Sequence, residues 1–228
     1  MSLQYRTATV FGGAGFLGRH LVRRLAKAGC LVRIATRDRV RAEFLRTAGM
    51  VGQVTPMSCA IHSDASVATL VDGADIVVNL IGTLAPSGRD SFQSVHAEAA
   101  GRIAAQAKAA GAQRLLHVSA LGADAAGPSD YARSKAAGEA AVLAAFPGAT
   151  IFRPSIVFGP EDQFFNRFAG MARVAPMLPL FGGGATKFQP VYVGDVADAM
   201  MAALQTDASQ GQIYELALRG IGLQRRHH

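Results

Sequence analysis

Residues 9–20 read TVFGGAGFLGRH and set three glycines, at positions 12, 15 and 18, between an apolar run and a basic helical stretch. Few features narrow the fold more. Gly12 suits a tight turn, Gly15 lets the backbone come close to a bulky anion, and Gly18 lets a helix lie directly on a strand. Beyond the turn, the helix start offers unpaired N–H groups at Phe16 and Leu17 and the positive end of its dipole. A strand, a glycine turn and a helix in that order form a seat for the pyrophosphate of a dinucleotide.

The rest of the chain supplies the matching architecture. Short apolar runs at 7–12, 31–36, 52–57, 75–80, 114–119 and 149–154 alternate with helical patterns at 15–28, 39–48, 65–72, 92–110 and 131–146. This alternation predicts an α/β fold, a doubly wound parallel sheet of six strands. Residues 1–216 read as one domain. Excursions at about 155–190 form a small, incomplete C-terminal substrate lobe, followed by a strand at 189–193 and a helix that Asp195 caps. The ending at 217–228, with LQRRHH last, reads as a truncation or a tag remnant.

Composition removes several function classes. The net charge is +7, from 23 Lys and Arg against 16 Asp and Glu, but no basic block is interleaved with aromatics, so nucleic acid is not an expected partner. Cys30 and Cys59 lie far apart, which suggests neither a disulfide framework nor a zinc site and fits a reducing, cytoplasmic setting. Without a leader pattern or a membrane-length apolar run, membrane contact is expected to be peripheral at most. The apolar stretch 164–184 reads either as core, as the lining for a small apolar or quinone-like substrate, or as a partner surface.

The second strand ends RIATRDRVR, with Thr36 where a ribose-binding acid is expected and Arg37 immediately after it. A guanidinium suits a phosphate monoester. The expectation is therefore NADP(H) over NAD(H), with Arg39 and Arg41 adding to the field and Asp38 opposing it. YARSK places Tyr131 and Lys135 one helical turn apart on one face. An ammonium beside a phenol would lower the phenol's pKa and prepare it to exchange a proton with a carbonyl or carbinol.

Taken together, GGAGFLG, NLIG (79–82), HVSALGA (117–123), YARSK and RPSIVFGP (153–160) resemble the short-chain dehydrogenase/reductase superfamily. QPVYVGDVADA (189–199) is most similar to the atypical branch that includes the NAD(P)H-binding accessory subunit of respiratory complex I and its bacterial relatives. The resemblance implies that Tyr131 is an acid/base, that Lys135 orients the nicotinamide ribose, and that the Ser119 hydroxyl holds the substrate oxygen. It also implies that Asn79, Ile81, Gly82, Pro154 and Ile156 border the cofactor, and that respiratory-complex subunits on the inner face of a membrane are candidate partners.

The sequence departs from active epimerases and dehydratases of the superfamily at the fifth strand. Their hydroxyl triplet is here Ser119-Ala120-Leu121, and Leu121 cannot donate a hydrogen bond. His96 stands where a structural Asn is usual and reads as a satisfied helix-face residue. Two readings stay open: a dinucleotide-binding structural or assembly subunit, and an active reductase, epimerase or dehydratase.

Overall fold

The computed structural model describes residues 3–162 and 189–217. Seven strands form one sheet in the order β3-β2-β1-β4-β5-β6-β9. They are β1 (Thr7–Phe11), β2 (Leu31–Thr36), β3 (Val54–Ser58), β4 (Ile76–Asn79), β5 (Arg114–Val118), β6 (Thr150–Pro154) and β9 (Ile213–Leu216). Every pairing is parallel. A separate two-stranded pair joins β7 (Val157–Phe158) to β8 (Val191–Tyr192).

Strand periodicity sorts the core into two layers. On one face Ala8 and Val10 of β1 pack with Leu21, Val22 and Leu25 of α1 (Phe16–Lys27) and with Val196 and Met200 of α5 (Val193–Ala203). On the other face Phe11 meets Val67 and Leu70 of α2 (Asp64–Val71), Ile103 and Ala107 of α3 (Ala99–Ala109), and Val142 of α4 (Asp130–Ala145). The connection from β2 to β3 is a 3-10 helix at Val40–Ala48, and a widened π turn at Gln93–Glu98 leads into α3.

Two expectations need correction. The sheet has a seventh strand, because β9 docks beside β6 with Ile151 opposite Ile213. Buried polar anchors hold it there. Arg114 donates to the Ala203 carbonyl (2.8 Å) and to Ser209 Oγ (2.5 Å), and Thr150 Oγ1 donates to the Ser209 carbonyl (2.8 Å). Asp195 is not a cap: Tyr192 occupies the N-cap of α5 without a side-chain bond, and Asp195 lies in the first turn, where its charge still suits the dipole. The stretch 164–184, with its substrate or partner reading, and the tail from 218 lie outside the described residues.

Candidate functional site

Strand order reverses between β1 and β4, and the crevice opens at the carboxyl ends of the strands beside that switch. A cavity of about 340 Å³ lies there, lined after β1 by Gly12 and Gly15, after β2 by Thr36 and Arg37, after β3 by Cys59 and Ile61, and after β4 by Leu80–Thr83 and Asp90. Its size falls within the range of small-molecule sites.

The glycine turn is built for close approach. Gly12 has φ +77°, and its N–H donates to the Ala35 carbonyl (3.3 Å). A Cβ on Gly18 would fall 2.6 Å from the Gly13 Cα and closer still to the Gly12 carbonyl oxygen, so only glycine lets α1 seat on β1. Gly15 is the N-cap of α1, makes no side-chain capping bond, and is followed by no acidic residue in the first turn. Phe16 and Leu17 therefore open a helix whose positive end is unblocked and borders the cavity through Gly15, an anion site by construction. A turn with glycine at 12, 13 and 15 and an uncapped helix start fit the pyrophosphate of a dinucleotide.

Asn79 lies beneath the cavity floor. Its Oδ1 accepts the Ile81 N–H (3.1 Å), and its Nδ2 donates to His117 Nδ1 (3.2 Å). Ile81 and Gly82 are thereby held in the wall. Of the residues the sequence singled out, Gly12, Gly15, Thr36, Arg37, Ile81 and Gly82 line the cavity. Ser119, Tyr131, Lys135, Pro154 and Ile156 lie on the β5–β6 side, outside that lining. Gly82 links the two halves, since a Cβ there would sit 3.9 Å from Lys135 Nζ and 3.7 Å from His96 Nε2.

The β5–β6 half buries its lysine and serine. Lys135 is 5% exposed and donates from Nζ to the Val118 carbonyl (3.1 Å). Burial lowers its pKa to about 8, and the Glu139 carboxylate one turn along α4 opposes the fall. Glu139 is clamped by Arg153 through two bonds of 2.8 and 2.7 Å. The Tyr131 ring packs edge-on against Phe92 (5.8 Å) and His96 (5.4 Å). Burial pushes its phenol pKa up. The expected lowering by Lys135 is not found, and the ammonium is engaged by a backbone carbonyl. Ser119 is 4% exposed and its Oγ has no hydrogen-bond partner, whereas Leu121 is 39% exposed at the strand end where a working hydroxyl would stand. Pro154 and Ile156 offer carbonyls to Leu121 (2.9 Å) and Val191 (2.9 Å), respectively.

His96 uses both ring nitrogens. Nε2 accepts the Thr83 N–H (3.0 Å), so the ring proton sits on Nδ1 and is donated to Ser134 Oγ (2.9 Å), which donates in turn to the Tyr131 carbonyl (2.8 Å). Burial, helped by Lys135, lowers its pKa to about 4. His117 is lowered to about 3 by burial and by the same lysine. Both rings are neutral at pH 7. His96 pins the loop after β4 onto α4, a role its spacing in sequence does not disclose.

Sequence reasoning missed Asp90 and His62 at the cavity mouth. Arg37 Nη1 lies 2.7 Å from Asp90 Oδ2, and His62 Nε2 lies 3.0 Å from Asp90 Oδ1. The neighbouring arginines are matched as well, Arg41 to Asp38 (3.4 Å) and Arg39 to Glu43 (3.8 Å). No local signal marks Asp90, which lies 53 positions beyond Arg37.

A glycine-cradled helix start at the switch point of a parallel sheet defines a dinucleotide-binding protein of the short-chain dehydrogenase/reductase type. The chain belongs to the NAD dependent epimerase/dehydratase family, whose model matches residues 8–217. It is 44% identical over 212 residues to the mitochondrial NADH dehydrogenase [ubiquinone] 1 alpha subcomplex subunit 9 of Arabidopsis thaliana, covering 92% of this chain and 53% of that protein. It is 33% identical over 197 residues to the ceramide reductase of Caulobacter vibrioides, covering 86% of this chain and 60% of the reductase. The chain spans about half the length of the curated relatives it matches.

Among solved structures, MoeE5 in complex with UDP-glucose and NAD superposes with a TM-score of 0.76 at 18% identity, covering 92% of this chain and 76% of that one. DesIV, a dTDP-glucose 4,6-dehydratase from Streptomyces venezuelae with NAD bound, superposes with a TM-score of 0.77 at 22% identity, covering 92% and 74%. The expectation of NADP(H) over NAD(H) is corrected on two grounds. Both of these neighbours hold NAD, and Arg37, on which the expectation rested, is paired with a carboxylate.

Proposed function

We propose that the chain holds NAD(H) chiefly as a structural ligand, within a protein that serves as a peripheral subunit of a respiratory assembly. Gly12, Gly15, Phe16, Leu17 and Gly18 receive the pyrophosphate. Thr36, with Asp90 nearby, faces the adenosine ribose, while Ile81 and Gly82 wall the path toward Lys135. The dinucleotide supplies hydride chemistry wherever a substrate can reach it. Here it also stabilises the fold by mass action, because it binds the native state alone.

The observation that carries the reading is the contrast at the end of β5, where Leu121 stands in place of a donor and the Ser119 hydroxyl is buried without a partner. The proposed respiratory partner rests on the relative from Arabidopsis. No helix among the described residues is long and apolar enough to cross a membrane.

A second reading, an active reductase, epimerase or dehydratase, draws on Tyr131 and Lys135 standing one turn apart on α4 and on the reductase and dehydratase among the similar proteins. In it Tyr131 moves the proton, while Lys135 orients the ribose. One experiment separates the two: identify the nucleotide released from purified protein, then follow reduced-cofactor absorbance with carbonyl and quinone substrates for the parent and Tyr131→Phe. The structural reading expects bound NAD(H) and no turnover that depends on Tyr131. Turnover abolished by the substitution would overturn it.

A further inference from the structure

We propose that Asp90 tunes which dinucleotide the cleft prefers, by holding Arg37 in an ion pair at the cavity mouth and so denying its guanidinium to a 2′-phosphate. The inference rests on the proposed NAD(H) site and deepens it.

Three elements converge at this mouth. Arg37 follows β2, His62 follows β3, and Asp90 comes from the loop between β4 and the π turn. The Asp90 carboxylate spans the other two, with Oδ2 2.7 Å from Arg37 Nη1 and Oδ1 3.0 Å from His62 Nε2. Asp90 itself lines the cavity beside Thr36 and Arg37. Its position is set by the backbone as well, because Ser87 and Asp90 exchange N–H to carbonyl bonds of 3.1 and 3.0 Å that close the turn.

The chemistry of the two riboses differs at this point. A 2′-hydroxyl is neutral and donates a hydrogen bond, so it is compatible with a carboxylate nearby. A 2′-phosphate carries close to two negative charges and would need the Arg37 guanidinium, for which it would have to compete with Asp90. Arg39 and Arg41 do not restore the balance, since each has its own acidic partner. Arg37 is 80% exposed, so its pair sits in water, where such a pair shifts an equilibrium by about twofold to fivefold.

The test measures dissociation constants for NADH and NADPH by calorimetry on the full chain, for the parent, Asp90→Asn, Arg37→Ala and the double variant. Asp90→Asn is expected to move the NADPH-to-NADH ratio about fivefold toward NADPH. In the Arg37→Ala background the same substitution should move it less than about twofold, because the guanidinium it would release is gone. A ratio unchanged by Asp90→Asn overturns the proposal, even if both affinities fall, since that would make Asp90 a loop clamp only. An equal shift with and without Arg37 overturns it too. A parent that binds neither nucleotide would defeat the proposed NAD(H) site first, and this inference with it.

Discussion

The two halves of the cleft treat their polar groups in opposite ways. On the β1–β2 side, the start of α1 is left uncapped, glycine fills three of the four turn positions before it, and the positive helix end borders the cavity. On the β5–β6 side, two of the groups the family resemblance marks for chemistry, Lys135 and Ser119, are buried, and Tyr131 is half-buried. Lys135 is spent on the Val118 carbonyl, the Tyr131 phenol is raised by burial, and the Ser119 hydroxyl is enclosed without a partner. A binding site needs open donors, whereas a packed core needs satisfied ones. The first condition holds at the start of α1, and on the other side only Lys135 meets the second, through the Val118 carbonyl.

Gly18→Ala should break this contrast most severely. The added methyl would meet the Gly13 Cα at 2.6 Å, with backbone on both sides and nothing flexible to yield. A loss of about 3 kcal/mol in urea unfolding is expected, together with loss of NADH binding in calorimetry. Normal binding by this variant would mean that the glycine half is not the close-fitting seat described.

Lys135→Met probes the other half through pH. The folded pKa of about 8 lies below the ordinary 10.5, so between these values the unfolded chain holds the extra proton. Stability contributed by this group therefore rises with pH from about 8 to 10.5, and below 8 the buried charge is a constant cost. Replacing the lysine should remove roughly 2–3 kcal/mol of that alkaline gain, measured as the difference between parent and variant in urea unfolding at pH 7.5 and pH 10. Taking the difference cancels Cys30, Cys59 and Tyr131, whose raised values act in the opposite sense. A parallel pH dependence in the two proteins would contradict a buried, titrating lysine.

Glu139→Gln is the mildest of the three. It removes the charge that faces Arg153 but keeps the shape, and Glu215 at 3.5 Å from Arg153 partly compensates. A cost of about 2 kcal/mol is expected by the same unfolding measurement. A neutral outcome would show that the charge of Glu139 adds nothing to the stability of the β5–β6 half.

Much of the scaffold could be read before any coordinates. The second strand runs over 31–36 as expected, and the other five predicted sheet strands are placed within two residues of their observed ends. Departures have local causes. The third strand begins at Val54, after a turn closed by the Gln53 N–H on the Met50 carbonyl (3.0 Å). The stretch read as one helix over 92–110 holds a π turn at its start, and Gly138 lets α4 press onto it at the His96 carbonyl. The four-residue β9 escaped notice because Arg114 and Arg153, far away in sequence, secure its place.

Glycine spacing and apolar periodicity settled the cradle and the parallel sheet, since both follow from steric rules that act over a few neighbouring residues. The charge state of the site obeys a different rule. Coulomb interactions depend on distance in space and on the surrounding dielectric, neither of which is ordered along the chain. Arg37 read alone pointed to a 2′-phosphate, and Asp90, brought beside it by the loop after β4, reversed that reading. Tyr131 and Lys135 read as a pair promised a lowered phenol, and burial on α4 raised it instead.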